Sequence, residues 1–206
     1  MVKEGLVITY SKPAFRVRKI GEALEYALDF LISALSVTVV ALHVQAVRHE
    51  HFVSESIPRN AKMIAAVTIA SVAAFLWLTW TQDQPLEAQV AGVLLELAGA
   101  ALFFAAISAS RDRKLRFVFD PTHPHSLIAS GPYGFVRHPF YVSYVVFWAG
   151  WTIAVWSPWA LVSLALLIAL YVAAARLEER NFAASPLAAD YAAYKRRVGF
   201  FWPKLG

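Results

Sequence analysis

Long apolar runs separated by short polar breaks dominate the 206-residue chain. A helix that crosses a bilayer needs roughly 20 mostly apolar residues. Five stretches qualify: about 22–47 (charge-free from Phe30 onward), 61–80, 90–110, 140–156 and 159–175. Only Trp156-Ser157-Pro158-Trp159 separates the last two. Ser157 as N-cap and Pro158 as first helical residue form a tight turn into a new helix, so this pair reads as a membrane hairpin. Ser185-Pro186 repeats the same start signal. Leu187, Tyr191, Tyr194 and Val198 then recur at helical spacing. They predict a short amphipathic helix on the membrane surface or over a polar pocket, ended by Phe200-Phe201-Trp202-Pro203. The predicted fold class is all-α: an integral membrane bundle of about five transmembrane helices with a C-terminal hairpin and an amphipathic tail helix. Residues 1–110 supply the N-terminal transmembrane helices. Residues 111–206 supply a loop, the hairpin and the tail as one structural unit.

Composition agrees with this pattern. The chain is 59% hydrophobic and 16% charged, with a mean hydropathy of +0.52. Soluble domains are nearer half apolar and a quarter charged. Disorder is excluded, because it needs low hydrophobicity and high net charge. There is no cysteine, which removes disulfides, thiolate catalysis and thiolate metal sites. The first strongly apolar run starts too late, and lacks the cleavage pattern, for a removable signal peptide.

Charge orients the spans. Basic residues concentrate in cytoplasmic loops. The segment between the third and fourth spans carries Arg111, Arg113, Lys114, Arg116 and Arg137, and the tail carries Arg180, Lys195, Arg196, Arg197 and Lys204. The hairpin forces both onto one side. The break between the second and third spans has Asp83 and Glu87 with no basic residue, and belongs outside. Trp77, Trp80, Trp156 and Trp159 then form an outer aromatic belt. Five spans also put the N-terminus outside, although it carries Lys3, Lys12, Arg16, Arg18 and Lys19. Either residues 14–28 lie on the surface as an amphipathic helix or the first span crosses incompletely, so the side of the N-terminus stays open. The pI near 9.6 reflects flanks attracted to anionic lipid rather than nucleic-acid binding. Alanine-rich spans point to a multi-pass protein of a bacterial inner membrane, with the polar loop facing the cytoplasm.

Two polar clusters can carry chemistry. Residues 111–139 are polar and broken by Pro121, Pro124, Pro132 and Pro139. A connection this long and irregular is often functional, and polar backbone near lipid must be buried in protein or line a wet cavity. The second cluster, Arg176-Leu-Glu178-Glu179-Arg180, follows the fifth span. The two stand at the two feet of one hairpin and should meet. Carboxylates are disfavoured at a helix C-terminus, so Glu178 and Glu179 imply a partner or ligand there. Each feature also has a plainer reading. The glutamates could be solvated, Arg137 could bind lipid phosphate, His138 could be structural, and the stripe Tyr141, Tyr144, Trp148, Trp151 could be packing. Glu96 lies mid-span, where a charge costs several kcal/mol, and should face other helices, with His43 as the expected partner. His49, His51, His123 and His125 fit no compact metal site, so no metal is expected. Gly131 and Gly134 make no phosphate loop, because no Lys-Ser/Thr follows.

Residues 117–206 resemble the isoprenylcysteine carboxyl methyltransferase family and its phospholipid methyltransferase relatives. The matching positions, in order and in rough spacing, are His125-Ser126-Leu127-Ile128, Gly131-Pro132-Tyr133 and Arg137-His138-Pro139-Phe140-Tyr141. The hairpin follows, then Glu178-Glu179, Tyr191-Ala-Ala-Tyr194 and Pro203. The resemblance implies a membrane enzyme using S-adenosylmethionine, with a cytoplasmic cofactor pocket and a lipophilic acceptor entering sideways from the bilayer. It places cofactor contacts at His125, Ser126, Leu127, Ile128, Tyr133, His138, Pro139, Phe140, Tyr141 and Glu178. Arg137, His138, Glu178 and Glu179 become the catalytic candidates, and Arg176 and Tyr144 the acceptor-binding ones.

Methyl transfer from a sulfonium chiefly needs an acceptor held in line in a dry site. A carboxylate acceptor needs no base, whereas a phenol or amine must lose a proton. Three departures from the family pattern bear on this choice. Members that bind a carboxylate have an arginine where this chain has Ala174, and Arg176 lies about 200° further round the helix. Ser143 replaces a glycine. Ser185-Pro186-Leu187 replaces Phe-Gly. The expected activity is methylation of a lipophilic acceptor, with carboxyl, phenolic or other lipid O-methylation ahead of phospholipid N-methylation, and a small lipophilic molecule ahead of a prenylated protein because of Ala174. The competing readings are an NADPH-dependent sterol or enone reductase-like enzyme and a non-enzymatic lipid-binding protein.

Overall fold

A computed structural model describes residues 12–49, 59–110 and 127–204. Its regular elements are helices: α1 (Lys12–His49), α2 (Arg59–Thr81), α3 (Leu86–Ser110), α4 (Pro139–Ala154), α5 (Pro158–Ala183) and α6 (Ala188–Arg197), plus a 3-10 turn at Gly131–Gly134. Four stretches are long and apolar enough to cross a membrane: Ala23–Gln45, Lys62–Thr81, Leu86–Ser110 and Pro158–Ala183. The expected fifth, α4, has 16 residues. At 1.5 Å per residue that is about 24 Å, short of a hydrocarbon core of about 30 Å. Pro139 starts α4 as its first-turn residue, so Arg137 and His138 stand at the foot of a helix too short to carry them clear of the apolar zone.

α3 and α4 lie antiparallel and almost touch. A Cβ built on Gly92 would meet Ala154 Cβ and Gly150 O at 2.6 Å. One on Gly99 would meet Phe147 N at 2.8 Å and Ser143 O at 2.9 Å, and one on Gly150 would meet Glu96 N at 2.7 Å. In lipid, where water does not drive helices together, small residues allow this close approach. Ser143 belongs to the same seam. It is fully buried and its hydroxyl donates to Phe140 O at 2.7 Å.

α1 runs parallel to α3 through contacts spaced seven residues apart. Gln89 Nε2 donates to Asp29 Oδ1 at 2.9 Å, Ser36 Oγ donates to Glu96 Oε2 at 2.9 Å, and His43 meets the Phe103 ring at 4.2 Å. Glu96 does face other helices, but the expected His43 pairing is not formed. Seven residues separate Ser36 from His43, so His43 lies two turns further on, edge-on to Phe103, Tyr144 and Phe147. Nor is there a separate surface helix at 14–28, because Lys12–His49 is one unbroken helix. With α1 parallel to α3, its start lies at the end where Trp77, Trp80, Trp156 and Trp159 are all exposed. That end is opposite Arg137 and Glu178.

The core is aromatic. Phe75, Phe147, Trp148 and Trp151 are fully or almost fully buried, and Trp148 Nε1 donates to Tyr171 Oη at 3.1 Å. The hairpin turn differs from its sequence signal in one detail. Ser157 is the N-cap of α5 and Pro158 follows it, yet the Ser157 side chain makes no cap bond. The reversal is made instead by Trp156, whose φ of 46° is left-handed. This conformation costs a non-glycine residue roughly 1–2 kcal/mol, which is tolerated where the ring is exposed at the membrane boundary.

The α3–α4 seam makes a direct prediction. Gly150→Ala should destabilise the protein by about 1–3 kcal/mol, the usual range for overpacking. Gly21→Ala, with nothing within 4 Å of its Cβ, should not. Thermal unfolding in detergent measures both.

Candidate active site

The polar cluster is assembled where the loop, the foot of α4, the last turns of α5 and the tail converge. α5 continues through Ala183, so Glu178 and Glu179 lie inside a helix rather than beyond its end. Arg180 in its last turn offsets their unfavourable position against the helix dipole.

Arg137 is held by both backbone and side chain. Its N–H donates to Gly199 O at 2.8 Å, and Gly199 N–H donates to Phe135 O at 3.3 Å. Its Nη1 donates to Val198 O at 2.6 Å and its Nε to Glu179 Oε1 at 2.7 Å. Gly199 cannot carry a side chain, because a Cβ there would lie 1.6 Å from Trp202 O. The tail thus joins the loop at a point where only glycine fits.

Glu179 is saturated. Its Oε1 takes Arg137 and lies 3.4 Å from His138 Nε2, while its Oε2 takes Lys195 Nζ of α6 at 2.8 Å. Glu178 is more open, with its side chain 32% exposed, and its Oε2 lies 3.4 Å from His138 Nδ1. The imidazole therefore has a carboxylate at each ring nitrogen. Burial alone would lower its pKa, but Glu178 and Glu179 outweigh burial and raise it above the ordinary histidine value. Phe200 packs on the ring at 4.9 Å and Tyr141 at 5.9 Å.

The turn beneath is equally constrained. Gly131 has φ +58°, and a Cβ on it would sit 3.0 Å from Ala109 Cβ. This lets the turn tuck Ile128 and Tyr133 against Ala106 of α3. Tyr194 Oη donates to Tyr133 O at 2.6 Å, and burial pushes the Tyr194 phenol up to about 12, so it stays a neutral donor. α6 docks over this loop, with Tyr191, Tyr194 and Val198 buried against Leu127 and Phe182. Of the two expected positions for the tail helix, the one over the polar cluster is observed. α6 begins at Ala188 rather than just after Ser185. Ser185 Oγ instead accepts from Leu187 N–H at 3.1 Å and donates to Phe182 O at 2.8 Å.

The expected site residues mostly converge. Arg137, His138, Glu178 and Glu179 form one cluster, with Tyr133, Pro139, Phe140 and Tyr141 around it. Tyr144 lies one turn deeper, 4.7 Å from His43 and 5.4 Å from Tyr171. Leu127 and Ile128 line the loop, while His125 and Ser126 lie outside the described residues. Arg176 is exposed and makes no ion pair among the described residues, so it does not join the cluster. Ala174, at the position of the missing arginine, is buried. Lys195, Gly199 and Phe200 are part of the cluster without having stood out in sequence. Lys195 sits in the basic run Lys195-Arg196-Arg197, which reads as a solvated flank, and nothing local marks Gly199. Among the described residues no group of three or more histidines and carboxylates is placed to hold a metal ion.

Residues 88–187, from the start of α3 to just past α5, match the model of the phospholipid methyltransferase family, the superfamily that includes the isoprenylcysteine carboxyl methyltransferases. The match supports a membrane methyltransferase. Neither the curated proteins nor the solved structures contain a match to it. The matched segment begins at the helix that packs on α4 and includes every acidic residue of the cluster. α1, α2 and the whole of α6 lie outside it.

The raised His138 pKa gives a signed prediction. A group whose folded pKa exceeds its unfolded value contributes stability that is complete below the unfolded value, about 6.5 for histidine, and lost as pH rises through the folded value. The stability difference between the wild type and His138→Gln should therefore be largest in mild acid and shrink as pH rises above about 6.5. Unfolding midpoints across pH in one detergent would show it, and a constant difference would contradict it.

Proposed function

We propose that the protein transfers a methyl group from S-adenosylmethionine to a lipophilic acceptor at the membrane boundary. The observation that carries this reading is the Arg137-His138/Glu178-Glu179 cluster, assembled within a phospholipid methyltransferase segment. The residues present fit the cofactor. Glu178 is a part-open carboxylate beside aromatic rings, suited to the ammonium or ribose of S-adenosylmethionine through charge-assisted hydrogen bonds. Leu127, Ile128, Tyr133, Pro139, Phe140 and Tyr141 supply its apolar and aromatic surroundings. When bound, the cofactor supplies an electrophilic methyl on a sulfonium.

The chain's own residues then orient and desolvate. Arg137 and Glu179 fasten the loop to α5, and His138 holds Glu178 in place. Phe200, Phe201 and Tyr141 keep water from the imidazole. Among the described residues a carboxylate acceptor finds no spare cation. Arg137 is committed to Glu179 and Val198, Lys195 is committed to Glu179, Arg176 points elsewhere, and Ala174 has replaced the arginine that would read it. A hydroxyl or amine acceptor fits better. Glu178 and Glu179 favour the protonated form of His138 against the effect of burial, and both oxygens of Glu179 are already taken. Glu178 is therefore the carboxylate left to receive the proton that such an acceptor must lose. The short α4 keeps the site within reach of a lipid headgroup, and the cluster end of the bundle faces the cytoplasm in this reading.

Calorimetry with S-adenosylhomocysteine tests the cofactor. The wild type should bind in the micromolar range. Glu178→Ala should weaken binding by about 1.5–3 kcal/mol, the value of a hydrogen bond to a charged group, and His138→Ala should weaken it too. Membranes incubated with methyl-labelled S-adenosylmethionine should yield labelled lipid. Absence of both binding and label, in protein shown to be folded, rejects the reading.

A further inference from the structure

We propose that Lys195 of α6 is a positioning residue for this site. By taking the outer oxygen of Glu179, it holds that carboxylate against Arg137 and His138, so the docked tail helix fixes the imidazole and leaves Glu178 as the carboxylate open to a ligand. The proposal rests on the cluster being the ligand site named above, but its test does not depend on turnover.

The geometry is specific. Glu179 is 13% exposed at its side chain, and its two oxygens are divided between two elements. Oε1 faces the loop, where Arg137 Nε lies at 2.7 Å and His138 Nε2 at 3.4 Å. Oε2 faces the tail, where Lys195 Nζ lies at 2.8 Å. A carboxylate bound on one edge only can rotate about its last torsions, whereas one bound on both edges cannot. Lys195 makes two further contacts, although its side chain is 43% exposed. Its ammonium lies 5.8 Å from the centre of the Tyr191 ring, and its carbonyl accepts a hydrogen bond from Lys204 Nζ at 2.9 Å. Residue 195 lies beyond the family segment, which ends at 187, so the clamp closes with a cation from outside the matched fold. The two glutamates thereby separate in role: Glu179 is a structural anchor, and Glu178 touches the ligand.

The groups facing His138 are Glu178 and Glu179 from α5, Tyr141 from α4, Phe200 and Phe201 from the tail, and its neighbour Arg137. Lys195 acts on it only through Glu179, and this gives the test an informative sign. If Lys195 were simply a nearby positive charge, removing it would make protonated His138 more favourable and raise its titration midpoint. If Lys195 holds Glu179 in place, removing it frees that carboxylate from the imidazole and lowers the midpoint.

The experiment uses the full chain in nanodiscs with labelled histidine, and assigns the His138 signal by its loss in His138→Gln. The expected result is a lower His138 midpoint in Lys195→Met, recovered in Lys195→Arg. S-adenosylhomocysteine affinity should fall by about tenfold in Lys195→Met, within the range of coupled neighbours, and recover in Lys195→Arg. A raised or unchanged midpoint in folded Lys195→Met overturns the proposal. If Lys195→Met does not fold, Lys195→Gln, which keeps a hydrogen-bond donor without the charge, is judged by the same sign. Failure of the wild type to bind S-adenosylhomocysteine would count against the cofactor reading alone, because the midpoint comparison still decides the role of Lys195.

Discussion

The contact on which the rest of this structure depends is the backbone approach of α3 and α4. Gly92, Gly99 and Gly150 leave no room for a side chain between the helices, and Ser143 and Ala154 complete the seam. In lipid such a contact is held by dispersion and close fit rather than by release of water. It therefore demands small residues in register over several turns. That register places the foot of α4 beside the end of α3, where Ala106 and Ala109 receive the Gly131–Gly134 turn. It also aligns Glu96 with α1, so that its one mid-span carboxyl meets Ser36. A slip of one residue would bring side chains into the seam and misplace both.

The second level of order is electrostatic and lies at one end. Glu179 gathers Arg137 and His138 from the foot of α4 and Lys195 from the tail helix. A carboxylate without such partners would be costly at this depth. With them it becomes the point at which loop, hairpin and tail are joined. Apolar contacts support it, since Tyr191, Tyr194 and Val198 bury the face of α6 that brings Lys195 into reach. Packing positions the helix and the ion pairs then set the atoms, which is the division of labour expected where surface ion pairs alone contribute little.

Much of this was legible in the sequence because it depends on local signals. Apolar runs of the right length marked the helices, Ser157-Pro158 marked the hairpin, and helical spacing of Tyr191, Tyr194 and Val198 marked α6. The meeting of Arg137-His138 with Glu178-Glu179 followed from hairpin symmetry alone. What escaped depends on three-dimensional register. His43 and Glu96 both read as buried polar groups in facing spans, but pairing in steps of seven puts Ser36, not His43, opposite Glu96. Glycines in a transmembrane helix do not announce which neighbour they approach, so the α3–α4 seam was invisible. Lys195 looked like one cation among three. Only the docking of α6 distinguishes it from Arg196 and Arg197, which are exposed.

The shortness of α4 links these levels to function. A helix of 16 residues cannot carry its polar foot out of the hydrocarbon zone, so Arg137 and His138 must be satisfied by protein. Glu178 and Glu179 on the longer α5 do this, and their own charges are balanced in turn by the same groups and by Lys195. The arrangement is self-consistent only with the tail docked, because otherwise Glu179 loses a partner and the apolar face of α6 is bare. The proposed reaction brings a polar cofactor and a lipophilic acceptor together, and so needs charge and an apolar approach within a few ångströms of each other. In this fold the mismatch in length between α4 and α5 produces that juxtaposition. It sets a polar cluster below the boundary, with Tyr141, Tyr144 and Tyr171 leading inward from it toward the lipid-embedded core.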